Sequence, residues 1–330
     1  MSNTSSTQIA RPDSASHWYI TKDDKVEAFH EVPYAGKRGA AGEKRPTTLR
    51  DARKVGAVPS VTNILSIFHK EHLTAYKINQ AILASLTLPR IDGESEDDFA
   101  KRVFEDSKEH AASAARLGSR LHEVAAQYLL GDMTGGILEG ERVEGRDLAK
   151  VAQPLKELFQ SIIPSGHVTP PELSEFKIHN PLGYAGTCDG LVWLDAKSPR
   201  IQEKLEEAGY SGLLGGDPIV AMADLKSRGS SYKKATSYET DILQLAAYLH
   251  AVATTPSLGY SLSPGNTPVC NILVNTHHDA DTQDIWGADI IFHPKEEVEK
   301  AWAAFQSLLS VWKWAKGYDP VTAPKEGGAA

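Results

Sequence analysis

At 330 residues the chain is long enough to bury a sizeable core, as one large domain with appendages or two modest ones. Two cysteines, Cys188 and Cys270, far apart and outside any CxxC pairing, exclude a disulfide scaffold and argue against a structural zinc or an iron–sulfur cluster. The formal net charge of −8 does not by itself suggest a nucleic-acid binder, since such proteins usually show a basic footprint. The polar amino terminus and the lack of a run of about 18 apolar residues lead us to expect a cytoplasmic protein with no membrane partner.

The charge is unevenly spread. Residues 37–54 hold seven basic side chains (Lys37, Arg38, Lys44, Arg45, Arg50, Arg53, Lys54) against Glu43 and Asp51, a local balance of +5, and residues 226–234 hold Lys226, Arg228, Lys233 and Lys234 with no acid. Residues 1–58 show no sustained period and read as an extended basic arm with one short hairpin around Trp18–Ile20. The compact part, residues 59–318, opens at Pro59-Ser60-Val61-Thr62, a helix-start signal ahead of Ile64, Leu65 and Phe68. Helical patterning runs through Leu73–Leu86, breaks at Pro89–Gly93 and resumes from Asp97 to Leu130, where Leu117, Leu121, Val124 and Tyr128 make the buried stripe.

After a further helix around Asp147–Ile162 the rhythm changes to strand-length pieces at Leu173–Ile178, Gly186–Leu194 and Ile219–Leu225. Residues 195–218 read as a charged, Gly-rich surface insertion with a short helix at Ile201–Ala208. Glu239–Ala253 returns to helix, and Val269–Asn275 and Trp286–Phe292 pair as a hairpin. His277, His278, Asp279 and Asp281 fall in its turn, where Asp serves local backbone bonding rather than a metal. Pro294 opens an amphipathic helix through Val298, Trp302, Phe305, Leu309 and Trp312, with Trp314 off the apolar stripe; residues 319–330 read as a flexible tail. Helices first, then a mixed sheet flanked by helices, give an α/β or α+β domain.

The chemistry concentrates at Asp224-Leu225-Lys226, at the end of an apolar strand. In a strand, side chains at i and i+2 share a face, so Asp224 and Lys226 project together while Leu225 packs on the other side. Asp189 opens a second polar position on the preceding strand. Phosphodiester hydrolysis needs charge neutralisation at the non-bridging oxygens and an activated water, which two carboxylates around a divalent ion supply, with a lysine beside them to orient the water. Gln244 and Tyr248, four apart, share one face of the next helix with Asp241, and His122 lies one position off the buried stripe of its own helix.

Taken in order, Gly118-Ser119-Arg120-Leu121-His122, Glu175, Gly183-Tyr184-Ala185-Gly186-Thr187-Cys188-Asp189, Asp224-Leu225-Lys226-Ser227 and Gln244…Tyr248 resemble the RecB-type branch of the PD-(D/E)xK nucleases. Within it, together with Pro59-Ser60-Val61-Thr62, they are similar to the subgroup of mitochondrial genome maintenance and phage-type exonucleases. The resemblance covers about residues 59–315 and implies a restriction-endonuclease-like fold. It also implies metal ligation by His122, Asp189, Asp224 and the carbonyl of Leu225, with Lys226 as the catalytic lysine. Gln244 and Tyr248 would position substrate or Lys226, and Glu175 would support. Arg228, Lys233 and Lys234 are the basic groups beside that site that would meet substrate phosphates. Such a ligand set suits Mg2+ or Mn2+ better than zinc, and two cysteines cannot supply the iron–sulfur cluster of some relatives. The expected activity is a metal-dependent deoxyribonuclease acting from single-stranded DNA ends in replication, recombination or repair. The alternatives are a catalytically inactive DNA- or protein-binding module of the same fold and an endonuclease.

Overall fold

The computed structural model of the chain describes residues 17–22, 25–34, 43–68, 71–214, 218–229, 236–254, 262–277 and 285–323. In chain order these form β1 (Trp18–Lys22), β2 (Lys25–Ala28), β3 (Glu31–Pro33), β4 (Lys44–Pro46), α1 (Leu49–Val55), β5 (Val58–Pro59), α2 (Val61–Leu65), α3 (Glu71–Thr87) and α4 (Glu96–Leu129). There follow β6 (Arg142–Val143), β7 (Arg146–Asp147), α5 (Leu148–Ile162), β8 (Ser174–Asn180), β9 (Tyr184–Leu194), α6 (Pro199–Glu207), β10 (Ile219–Arg228), α7 (Glu239–Val252), β11 (Val269–His277), β12 (Ile285–Phe292) and α8 (Lys295–Lys316). Among the described residues no helix is long and apolar enough to cross a membrane.

The architecture is a mixed sheet flanked by helices, as expected. Five strands stand in the order β12-β11-β10-β9-β8. Every neighbouring pair is antiparallel except β10 and β11, which run parallel with Asp224 opposite Asn271. A parallel pair needs a crossover, and α7 supplies it. Ala221, Ala223 and Leu225 of β10 face a core shared with α4 and α5, whereas Met222 faces a second core built from α2, α7 and α8. The period-2 alternation of β10 thus directs Leu225 into one layer and Asp224 and Lys226 toward the other.

α4 begins at Ser95, whose side chain accepts from the Asp98 N–H, with Glu96, Asp97 and Asp98 at the positive end of the helix dipole. Leu117, Leu121, Val124 and Tyr128 are buried, and this stripe seats the C-terminal half of the helix on the sheet. α2 is capped by Ser60 through Asn63 N–H. Trp312 is fully buried and Trp314 is 85% exposed, as the stripe of α8 requires.

Two segments differ from their expectation. Within residues 1–58, expected as an extended arm, the described parts are docked on the domain: β1 pairs with β2 and β5, and Trp18 is buried in tilted contact with Trp312 and Tyr318. Of the basic cluster, Arg45 pairs with Asp51 at 2.7 Å and Arg53 donates to the carbonyls of Lys316 and Gly317; Lys37 and Arg38 lie outside the described residues. Within 195–218, expected as a surface insertion, Ile201, Leu205 and Tyr210 are buried in the α4–α5 core, and Arg200 binds Asp289 of β12. The pairing of β11 with β12 is as expected; β11 extends to His277, and His278, Asp279 and Asp281 lie outside the described residues.

Candidate active site

The ladder between β9 and β10 ends at the pair Gly190–Ala223. Beyond it the two strands part, and the backbone N–H of Leu225 is taken by a side chain, Asp189 Oδ2 at 2.7 Å. The carboxylate thus replaces a ladder acceptor, which fixes Asp189 at the mouth of the split. The same oxygen lies 3.3 Å from His122 Nδ1, contributed by α4.

Asp224 and Lys226 project from the same face of β10, as the alternation predicted, and Lys226 Nζ meets Asp224 Oδ2 at 2.7 Å. Gln244 of α7 bridges the pair. Its Oε1 accepts from Lys226 at 3.1 Å, and its Nε2 donates to Asp224 Oδ1 at 3.1 Å and to Tyr248 Oη at 2.9 Å. The structure therefore brings His122, Asp189, Asp224, Lys226, Gln244 and Tyr248 into one hydrogen-bonded group, with the Leu225 backbone between the carboxylates.

Glycines explain why two of the motifs occur together. A Cβ on Gly186 would stand 2.6 Å from Cε1 of Tyr248, so the bare backbone of β9 is what lets the tyrosine ring lie on it. A Cβ on Gly118 would stand 2.8 Å from Ser227 Oγ, so α4 approaches the end of β10 closely enough for His122 to reach Asp189.

An open cleft of about 580 Å3 lies over this group, lined by Ser119, His122, Glu175, Lys226, Ser227 and Arg228 among others. Arg228 is held in place by Asp241, whose two carboxylate oxygens accept from Nη2 at 3.0 and 2.8 Å, and its guanidinium lies 4.7 Å from the centroid of the Tyr238 ring. Glu175 is exposed on the rim. It falls where the β8–β9 ladder skips a pair, opposite Asp189, and has φ +50°, a left-handed conformation unusual for a side chain with a Cβ. Lys233 and Lys234 lie outside the described residues.

The electrostatics follow from two carboxylates sharing one half-enclosed space. Burial raises the Asp224 carboxyl to about 6, against the pull of Lys226 and with the added repulsion of Asp189. Asp189 is held below the usual carboxylate range, because the His122 bond and the charges of His122 and Lys226 outweigh its burial. Burial would lower Lys226, yet Asp224 and Asp189 hold it above its ordinary value, so it stays an ammonium. His122 is raised because Asp189 and Asp224 overcome its burial. The group attracts positive charge. Its donors, two carboxylates, one imidazole and a strand carbonyl, fit a hard divalent cation such as Mg2+ or Mn2+. As the side chains stand, His122 and Lys226 are bonded to the carboxylates, and among the described residues no three His, Cys, Asp or Glu side chains converge closely enough to hold a cation.

Sequence reasoning missed Asn271 and Ser237, which touch Asp224 and Asp241, and Ser227 as the contact of Gly118. A signal for Asn271 was present: a lone amide in an otherwise apolar strand, Val269 to Val274. No protein-family model and no curated protein sequence matches the chain.

Proposed function

We propose that the chain is a divalent-metal-dependent DNA nuclease that hydrolyses phosphodiester bonds from single-stranded ends. The observation that carries the reading is the gathering of Asp189, Asp224, Lys226 and His122 where β9 and β10 part, with His122 and Lys226 lining one open cleft and an arginine anchored beside them. The motif order, which resembles that of RecB-type exonucleases, supports the same reading.

Bound divalent metal would be held by Asp189, Asp224, His122 and the Leu225 carbonyl, and supplies charge neutralisation at the phosphate and a more acidic water. The protein's own groups do the rest. Lys226 has three N–H donors; Asp224 and Gln244 take two, leaving one for the attacking water or a non-bridging oxygen. Gln244, locked by Tyr248, keeps that ammonium from swinging into solvent. Arg228 presents a guanidinium, held by Asp241, to a neighbouring phosphate, the geometry in which arginine is most effective. Hydrolysis then forms one P–O bond to water and breaks one ester P–O bond.

The test is digestion of end-labelled DNA, linear and circular, single- and double-stranded, with Mg2+ or Mn2+ and with chelator as control. Linear single strands are expected to be consumed while circles of the same sequence survive. Equal loss of circles identifies an endonuclease, and no loss of any substrate by the folded protein overturns the reading.

A further inference from the structure

Asp224 is braced from behind as well as from the cleft. Asn271, opposite it on β11, is completely buried. Its Nδ2 donates to Asp224 Oδ2 at 3.0 Å and to the Asp224 carbonyl at 3.2 Å. Its Oδ1 lies 2.7 Å from Nε2 of the buried His293 and 3.2 Å from Ser237 Oγ. The orientation is forced: both Asp224 atoms only accept, so the amide nitrogen must face them and the amide oxygen must face His293, whose Nε2 therefore carries the hydrogen. Burial lowers His293 to about 4, which keeps the ring neutral. The single hydroxyl hydrogen of Ser237 can go either to Asn271 Oδ1 or, at 3.4 Å, to Asp241 Oδ2 of the carboxylate that holds Arg228.

Such a chain is an expensive way to fill a core. A buried amide and imidazole must each find partners, and an apolar pair of similar volume would pack here without that demand. What it adds is direction. With Gln244 on Oδ1 and Asn271 on Oδ2, the plane of the Asp224 carboxylate is fixed from two sides before any ligand arrives.

We propose that Asn271, itself fixed by His293, is a positioning residue that sets the carboxylate plane of Asp224 and through it the affinity of the site for a divalent cation. The inference rests on the nuclease reading above. It is tested on the full chain by calorimetric titration with Mn2+ alone, alongside kcat and KM on linear single-stranded DNA and a thermal melt. Asn271→Leu is expected to weaken Mn2+ binding about 10- to 100-fold, the usual effect of losing a partner of a metal ligand, and to lower kcat with little change in KM. His293→Leu should move both readouts in the same direction. His293→Gln, whose amide N–H can still reach Asn271, should recover most of the loss. A purely structural role predicts instead that Leu and Gln at 293 shift only the melt. If both leucine variants fold and keep wild-type Mn2+ affinity and kcat, or if Gln fares as badly as Leu, the inference is overturned. Should Asn271→Leu fail to fold, the His293 pair decides alone. If the unaltered chain itself binds no Mn2+ that Asp224→Asn removes, the nuclease reading falls and takes the inference with it.

Discussion

Asp224 accepts from Lys226, Gln244 and Asn271 while sitting almost wholly out of solvent, and that combination separates it from a carboxylate on a solvated strand end. Its charge is what the site is built to hold, so Asp224→Asn, nearly the same shape, is expected to lower single-turnover DNA cleavage by about 10²-fold or more. Lys226→Met should lower it comparably while leaving Mn2+ binding in place, because in the proposed mechanism the ammonium meets substrate and water and is not a ligand; near-wild-type turnover in either folded variant removes the assignment. His293 gives a prediction about stability. Its folded pKa of about 4 lies below the unfolded value, so the unfolded chain binds the extra proton between those values. Its contribution is complete above about pH 6.5 and is lost as pH falls toward 4, by up to roughly 3 kcal/mol. Asp241 on α7 is the charged group that opposes the shift. Asp224, raised to about 6, acts oppositely: its contribution is present below the ordinary carboxylate pKa and lost as pH rises through 6. Comparing urea midpoints of the wild type and His293→Gln from pH 7 to 4 isolates the histidine, and the variant should show the shallower loss; parallel curves refute it.

At the scale of elements, the site is a set of close approaches of helices to strands. Gly186→Ala drives a methyl to within 2.6 Å of the Tyr248 ring, which is buried and cannot step aside, so a loss of about 1–3 kcal/mol is expected together with loosening of Gln244. Gly118→Ala meets only the hydroxyl of Ser227, which can turn, and gains helix propensity of up to about 1 kcal/mol, so its denaturation midpoint should hold or rise. Equal destabilisation by the two would refute this account of the packing. The same contrast explains what was legible in the sequence. Asp224 with Lys226, Gln244 with Tyr248 and the stripe of α4 are local patterns, spaced two, four and three to four residues apart, and local geometry alone places them. The elements that carry them were readable for the same reason. Asn271 and Ser237 owe their places to the parallel register of β10 with β11 and to a crossover helix, relations that no short window contains. The strain at Glu175 arises where a ladder skips one pair, and it leaves no mark in composition.

On the scale of the whole molecule, the two ends of the described chain close on each other. Trp18 of β1 lies 5.9 Å from Trp312 of α8, ring centre to ring centre, and both are buried. Tyr318 Oη donates to the Ala57 carbonyl at 2.9 Å, Arg53 donates to the carbonyls of Lys316 and Gly317, and Trp312 Nε1 donates to Asn63 Oδ1 at 3.3 Å. These contacts change what a truncation means. Read from the sequence alone, the basic cluster Lys37–Lys54 would hold phosphates, and deleting residues 1–54 would flatten the salt dependence of DNA binding. With the described parts of residues 17–58 docked on the domain, removing them is expected to expose the α8 side of the second core and so to lower stability as well as charge. Trp18→Ala isolates the packing contribution without touching a charge, and deleting a fully buried aromatic costs about 3–5 kcal/mol. The expected outcome is a large drop in the denaturant midpoint for Trp18→Ala with an unchanged salt slope of DNA binding at a temperature where the variant is folded. For the 59–330 fragment, unfolding or a still larger drop is expected. Charge reversal at Arg50 and Lys54, both exposed on α1, should by contrast leave the midpoint nearly unmoved, so that any change of salt slope it produces reports on DNA alone. A 59–330 fragment melting like the full chain would show the terminal contacts to be dispensable and return the segment to the role of an appendage.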